Sequence, residues 1–363
     1  MSTGKKVFCS ILWAVAALVI AELLLQARSH IRYGTSVFNL LSKQTTYAYN
    51  EEIGLQLLRP NSIIDGSQAT IKTNSIGLRS PELLPGKQEG ETRIAIVGAS
   101  SVMGTYTRKN EDIISYRLEA YLESAFPHID INVINAGIAG YGLVDQRQMF
   151  ERVIKPMRPD LVIWYSGFND ISGYCHKPSS KVTSGLPQLK LPSWLLSIEL
   201  VTKNSVWLRT VKAGKEGMLN PDSLDLSRYL GRVNEFLNSI KTAGVPLLTV
   251  TNARAFREDM PVDEQMTLSE TARYYNHCFD LNGLHGAYNR HNDLLADATF
   301  DAGYSVLRLD QDLPGGNKYF GDATHFSVVG SDYVAHLFYE HILSLGLLSD
   351  DSKKRIITSG GSE

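Results

Sequence analysis

A serine attacks a carbonyl only when a base takes its proton, so its value as a nucleophile depends on partners elsewhere in the chain. Ser100 lies in Ile94-Ala95-Ile96-Val97-Gly98-Ala99-Ser100-Ser101-Val102-Met103-Gly104. The apolar run reads as a buried strand, and a Gly-x-Ser turn follows at once. α/β proteins expose their ligands at such corners, beyond the carboxyl end of a strand. Three later segments could serve this serine: Asn135-Ala136-Gly137-Ile138-Ala139-Gly140, Gly167-Phe168-Asn169-Asp170 and Asp322-Ala323-Thr324-His325. His325 is the candidate base. Asp322 is spaced so that its carboxylate can accept from the imidazole Nδ1 and hold Nε2 toward Ser100. A tetrahedral intermediate also needs donors for its oxyanion. The candidates are the backbone N–H of Ser100, the backbone N–H of Gly140 and the side-chain amide of Asn169. Glycine lets a backbone approach a ligand closely, and asparagine offers an N–H without charge.

Each piece has a plainer reading. Ser100 or Ser101 could cap a helix. Gly137, Gly140 and Gly142 could be turn glycines, and Asn169-Asp170 a strand-ending turn. Asp322 and His325 could begin a helix, with the acid near the positive end of its dipole. Their coincidence at the ends of successive strands favours the catalytic reading.

The elements that must position these residues alternate. Arg93–Val97 reads as a strand. A helix follows through Ile113, Ile114, Tyr116, Leu118, Leu122 and Ala125. Ile129–Ile134 is a second strand, Gln146–Lys155 a helix and Leu161–Tyr165 a third strand. A helix over Leu226–Ala243 precedes a fourth strand, Val245–Thr251. Glu270–Ala302 is mostly helical, Val306–Leu309 is a fifth strand, and His325 begins a final helix. Near-continuous apolar strands separated by helices predict a parallel sheet covered on both faces. Pro178, Pro187, Pro192 and Pro221 break this rhythm, so 172–226 reads as an insertion rimming the site.

The four blocks resemble the SGNH (GDSL-type) hydrolase family over Arg93 to Leu347. Gly98-Ala99-Ser100-Ser101-Val102-Met103-Gly104 resembles its first block, with Ser100 as nucleophile. Asn135-x-x-x-x-Gly140 and Gly167-Phe168-Asn169-Asp170 resemble the second and third, with Gly140 and Asn169 as oxyanion donors. Asp322-x-x-His325 resembles the fifth, with the acid and the base. Thr73-Asn74-Ser75-Ile76-Gly77-Leu78-Arg79 is similar to the lead-in of membrane-anchored bacterial members. The resemblance implies a three-layer α/β/α sandwich (SGNH/flavodoxin-like) with a five-stranded parallel sheet. It also implies hydrolysis or transfer of acyl groups without a cofactor. Ala99 stands where the family usually has Asp, and Val102 where many members have Thr. The Asp is outside the triad, so the proton-transfer chain survives, while support of the nucleophile loop could differ.

The chain has 363 residues and a formal net charge of −2, which offers no electrostatic case for nucleic acid. Cys-x-x-Cys and His-Glu-x-x-His spacings are lacking, so no metal is expected. Lys5 and Lys6 precede an apolar run from Val7 to Leu25 interrupted near its end by Glu22. That run is close to the roughly 20 residues that span a bilayer. The lysines favour a cytoplasmic amino terminus and an exported remainder. A cleaved signal peptide is the competing reading; the length of the run and the lack of a small-x-small site favour an uncleaved anchor. The expected organisation is an anchor over 1–28, an extended connector or cap over 29–90, a hydrolase domain over 91–350 and a flexible tail over 351–363. Cys175 and Cys278 could both rim the site, and in an exported protein they could pair; the sequence leaves this open. Tyr274, Tyr275, Trp194 and Trp207 could line a sugar-binding groove, although such aromatics are more often core. His277, His285 and His291 are read as surface or core histidines in one helical segment.

The expected protein is thus a single-pass, membrane-anchored serine esterase with its catalytic domain periplasmic or extracellular. Its expected substrate is an O-acyl ester, on a small molecule or an envelope carbohydrate. Two rivals stand beside it: an O-acyltransferase using the same residues, and a non-catalytic polysaccharide-binding or assembly factor on the same scaffold.

Overall fold

The computed structural model describes residues 3–33, 46–65, 69–83, 86–175, 196–197 and 218–346. The tail 351–363, Trp194, Trp207 and most of the 172–226 insertion lie outside the described residues. The chain divides into two units, 1–46 with 178–217 and 47–177 with 218–363.

In the first unit, helix α1 (Thr3–Tyr33) carries a 25-residue stretch, Gly4–Arg28, long and apolar enough to cross a membrane or to act as a signal sequence. The Glu22 carboxylate on this helix accepts the backbone N–H groups of Leu196 and Ser197, both at 2.9 Å.

The second unit opens with two antiparallel hairpins, β1 (Tyr47–Asn50) with β2 (Leu55–Leu58) and β3 (Ile63–Asp65) with β4 (Thr70–Lys72). Leu55, Leu57, Leu58, Ile71 and Leu78 are buried in the hydrophobic cluster on one face of the main sheet. The chain then enters that sheet through β5 (Glu91–Gly98), which leads into the short helix α2 (Ser100–Met103) and helix α3 (Ile114–Ala125). Next come β6 (Asp130–Gly137), α4 (Leu143–Met149), β7 (Leu161–Tyr165) and α5 (Phe168–Ser172). After the insertion follow α6 (Ser227–Ala243), β8 (Leu247–Val250), α7 (Val262–Leu268), α8 (Glu270–Tyr275) and α9 (Leu281–Asp301). The unit closes with β9 (Ser305–Leu307), α10 (Leu309–Asp312) and α11 (Val328–Ser344).

The five main strands are parallel in the order β6-β5-β7-β8-β9. Along β5 the side chains alternate between two cores. Ile94 and Ile96 join the cluster that holds α3, α9 and α11 residues; Ala95 and Val97 join the one that holds α4 and α6 residues. That alternation makes the expected three-layer α/β/α sandwich, with the sheet buried on both faces. β5 is the first strand of the sheet and has neighbours on both sides, so the crevice at its carboxyl end is the topological switch point where such sheets bind ligands.

Some elements differ from the sequence reading. The helix expected over Gln146–Lys155 starts at Leu143, widens into a π-helical turn over Phe150–Ile154 and tightens to a 3-10 turn over Lys155–Met157. Pro156, which has no N–H, falls in that closing turn. The fifth strand stops at Leu307, and Leu309 already belongs to α10. His277 precedes α9 rather than lying in it; His285 and His291 are buried on that helix, at 4% and 1% exposure. Cys175 and Cys278 are joined as a disulfide with Cα atoms 5.1 Å apart.

Candidate active site

Register brings the site together. Gly98 at the end of β5 lies opposite Gly137 of β6 and Tyr165 of β7. The loops that follow, carrying Ser100, Gly140 and Asn169, therefore start at one level. Glycine is required at two of these points because backbones nearly touch. A Cβ on Gly137 would lie 2.3 Å from the Met103 amide nitrogen, and one on Gly98 would lie 2.7 Å from the Tyr165 carbonyl oxygen.

Ser100 Oγ lies 2.8 Å from His325 Nε2. On the far side of the ring, Nδ1 lies 2.9 and 2.8 Å from the two carboxylate oxygens of Asp322. An ionised carboxylate only accepts, so Nδ1 carries the proton and Nε2 is left as acceptor for the Ser100 hydroxyl. Burial works against ionisation of Asp322. The His325 imidazole and the backbone N–H groups of Thr324 and His325 outweigh it, and hold the carboxyl below the usual carboxylate range. Those two N–H groups reach Asp322 Oδ1 at 3.0 and 2.9 Å.

His325 does not begin the last helix, as the sequence suggests. It sits in this Asp322-centred turn, and α11 starts three residues later with the Ser327 hydroxyl accepting the Gly330 N–H at 3.1 Å. The turn is closed by the Gly321 N–H donating to the His325 carbonyl at 2.8 Å, and by a bridge between Phe320 and Phe326. The Tyr106 ring stacks on the imidazole, with centroids 5.5 Å apart and planes 21° from parallel. A Cβ on Gly321 would fall 2.3 Å from that tyrosine ring. Ser101 points away from the site: its hydroxyl is buried and donates to the Thr324 carbonyl at 3.0 Å.

The Asn169 Nδ2 donates to the Tyr141 carbonyl at 2.9 Å. That bond identifies which amide atom is the nitrogen and leaves its second N–H free to donate elsewhere. The neighbouring Gly140 has φ +84°, and a Cβ there would meet nothing within 4 Å. Glycine at 140 thus suits the left-handed backbone. The N–H groups of Ser100 and Gly140 donate to no protein acceptor among the described residues. Asp170 ties the same loop from behind. Its carboxylate oxygens accept the Leu143 N–H at 3.3 and 3.2 Å, at the first turn of α4, and Arg232 of α6 stands 3.6 Å away. Asn135 does the corresponding work on β6. Its Nδ2 donates to the Val102 carbonyl at 2.7 Å, and its Oδ1 accepts the Gly137 N–H at 2.9 Å.

Ser100, Asp322 and His325 thus form one hydrogen-bonded chain, with Gly140 and Asn169 in a single tied loop system. Ala99 precedes α2 and makes no side-chain cap bond. Ser101, Asp170, Tyr106 and Gly321 were not singled out by sequence. Asp170 was visible as the residue after Asn169, and Ser101 only as the rival serine. Tyr275 is half exposed and meets Phe168 edge-on at 6.5 Å, beside Asn169 in sequence.

No family model and no curated protein matches the chain. Among solved structures, it is similar to an alpha/beta hydrolase enzyme from the metagenome of Lake Arreo, Spain, at 14% identity over 71% of this chain and 97% of that one, with a TM-score of 0.43. It is also similar to a lipase/acylhydrolase from Enterococcus faecalis, at 15% identity over 69% and 95%, with a TM-score of 0.42. A third likeness is to an acetylxylan esterase from Geobacillus stearothermophilus, at 14% identity over 69% and 94%, with a TM-score of 0.42.

Proposed function

We propose that this chain is a serine ester hydrolase of the SGNH type, anchored in a membrane by α1 with its catalytic domain outside the cytoplasm. The observation that carries the reading is the unbroken chain from the Asp322 carboxylate through His325 to the Ser100 hydroxyl. In it Ser100 attacks the ester carbonyl while His325 Nε2 takes the hydroxyl proton. Asp322 keeps the imidazole in the needed tautomer and stabilises the imidazolium that forms. The free N–H groups of Ser100 and Gly140, with the second N–H of Asn169, receive the charge on the carbonyl oxygen. His325 then returns the proton to the leaving alcohol, and water repeats the sequence on the acyl-enzyme.

The substrate in this reading is an O-acyl ester on an exposed carbohydrate of the envelope. The half-exposed Tyr275 beside the Phe168-Asn169 step supports a sugar-stacking surface there. The reading is tested on full-length protein in detergent micelles, with an aryl acetate and a fluorophosphonate probe. Acid release and probe attachment at Ser100 are expected, and both should vanish in Ser100→Ala. Full activity in that variant would remove Ser100 from the mechanism. Acetyl transfer to a sugar acceptor in preference to water would turn the reading toward an acyltransferase.

A further inference from the structure

The segment before the main sheet reaches the nucleophile turn through one side chain. Arg79 is fully buried, at 0% exposure. Burying a cation is costly unless its donors are satisfied; its hydrogen-bond partners here are neutral, with the Glu111 and Asp112 carboxylates favouring the charge from farther off. Its Nε donates to Asn110 Oδ1 at 2.9 Å. Its Nη1 donates to the carbonyls of Met103 and Gly104 at 3.1 and 2.6 Å and to Thr107 Oγ1 at 3.3 Å. Its Nη2 donates to the Thr107 carbonyl at 3.0 Å. Burial pulls the guanidinium down to about 10, which leaves it charged at neutral pH.

All of these acceptors but Asn110 belong to one stretch, the end of α2 and the turn after it. The other end of that stretch is Ser100, whose carbonyl accepts the Gly104 N–H at 3.0 Å and the Thr105 N–H and hydroxyl at 3.3 and 3.1 Å. Gly104 has φ +80°, and a Cβ on it would fall 3.1 Å from Arg79 Nη1. Glycine at 104 thus suits the left-handed backbone, and the guanidinium fork packs against it. Arg79 is itself aimed by its own segment. Asn74 Oδ1 accepts the N–H groups of Ile76, Gly77 and Leu78 at 3.2, 3.1 and 2.9 Å. Asn110 exchanges bonds with the backbone of Lys72 at 3.3 and 2.9 Å.

We infer that Arg79 is a positioning residue for the nucleophile: it fixes the 103–107 turn and, through Gly104 and Thr105, the backbone that presents Ser100 to His325. The inference rests on the serine-hydrolase reading above. It makes the 47–79 segment part of the catalytic apparatus rather than a spacer between anchor and enzyme. Arginine suits the task because a planar fork of donors can hold several carbonyls in fixed directions, which an ammonium cannot.

The test uses full-length Arg79→Ala and Arg79→Lys in micelles, beside wild type and Ser100→Ala. Circular dichroism gives the folded fraction, and kcat, KM and the fluorophosphonate labelling rate are expressed per folded molecule. A displaced nucleophile costs on the order of 100-fold in rate. Arg79→Ala should therefore lose about that factor in both kcat and labelling rate, with KM within about 2-fold of wild type. Arg79→Lys should recover part of the loss, because its ammonium can still donate to the Met103 and Gly104 carbonyls. Folded Arg79→Ala that labels at the wild-type rate would overturn the inference. So would failure of both variants to fold, which would make Arg79 a stability residue. A wild-type chain that does not label at Ser100 would instead bring down the serine-hydrolase reading, and the role of Arg79 with it.

Discussion

The Ser101 hydroxyl donates to the Thr324 carbonyl across 223 residues of sequence, at 3.0 Å. Two adjacent serines thus serve opposite ends of one apparatus. Ser100 faces the imidazole, and Ser101 holds the turn from which that imidazole projects. Removing a buried donor leaves its acceptor unsatisfied, at about 1–3 kcal/mol. Ser101→Ala is expected to lose about that much stability. It should also slow turnover by about 10-fold through a looser His325, a factor worth about 1.4 kcal/mol. Denaturant unfolding and initial rates on an aryl acetate check both. An unchanged rate would detach Ser101 from the support of the base.

Asn169 has one N–H committed to the Tyr141 carbonyl and one left over. Loss of one oxyanion donor typically costs about 100- to 1000-fold in kcat. Asn169→Ala should fall in that range. Asn169→Asp should fall further, because a carboxylate would oppose the developing charge. A pre-steady-state burst of the aryl leaving group separates slowed acylation from slowed deacylation. Near wild-type acylation in Asn169→Ala would exclude Asn169 as an oxyanion donor.

Asp170 gives a pH dependence of stability. Burial lifts its carboxyl from 3.8 to about 6, against the pull of the Leu143 N–H and Arg232. The unfolded chain releases this proton at lower pH than the native one. Native protein therefore binds more protons between about pH 4 and 6 and loses stability as pH rises through that window. The full effect is at most about 3 kcal/mol. Asp170→Asn keeps an acceptor for the Leu143 N–H and lacks the charge. Its stability relative to wild type should climb from pH 4 to pH 7 in urea titrations. Parallel curves for the two proteins would contradict the shift.

Cys175 follows the Asn169 helix by a few residues, and its partner Cys278 lies 103 residues on in sequence. Bridges closing loops of this length contribute about 2–5 kcal/mol. Cys175→Ser is expected to lower the unfolding midpoint accordingly, and dithiothreitol should do the same to wild type while leaving the variant unmoved. Equal sensitivity of both proteins to the reductant would place its effect elsewhere.

How legible the molecule was depended on the range of each interaction. Ile94–Val97 and Leu161–Tyr165 announced their strands because a strand buried on both faces must be apolar throughout. Ser100, Asn169, Asp322 and His325 stood out because a strand-end loop has few reasons to keep such groups. Arg79 was visible only as the last residue of the Thr73–Arg79 lead-in, and its partners, mostly backbone carbonyls 24 to 28 residues away, were not. The helix start assigned to His325 failed for a local reason. An Asp whose side chain accepts the next N–H groups makes a tight turn as readily as a helix cap, and the Gly321 and Ser327 backbone bonds decide between them. The left-handed backbone of Gly140 was not legible, because backbone dihedrals are not readable from residue spacing.

The Leu219 N–H donates to the Cys278 carbonyl at 2.8 Å, and the Cys175 sulfur is bonded to the same residue. Cys278 therefore takes a covalent bond from Cys175 and a hydrogen bond from Leu219 at one point of the second unit. None of the three residues lies in a strand of the main sheet, so a substitution at this knot leaves the register of β5 and the Ser100 corner as they are.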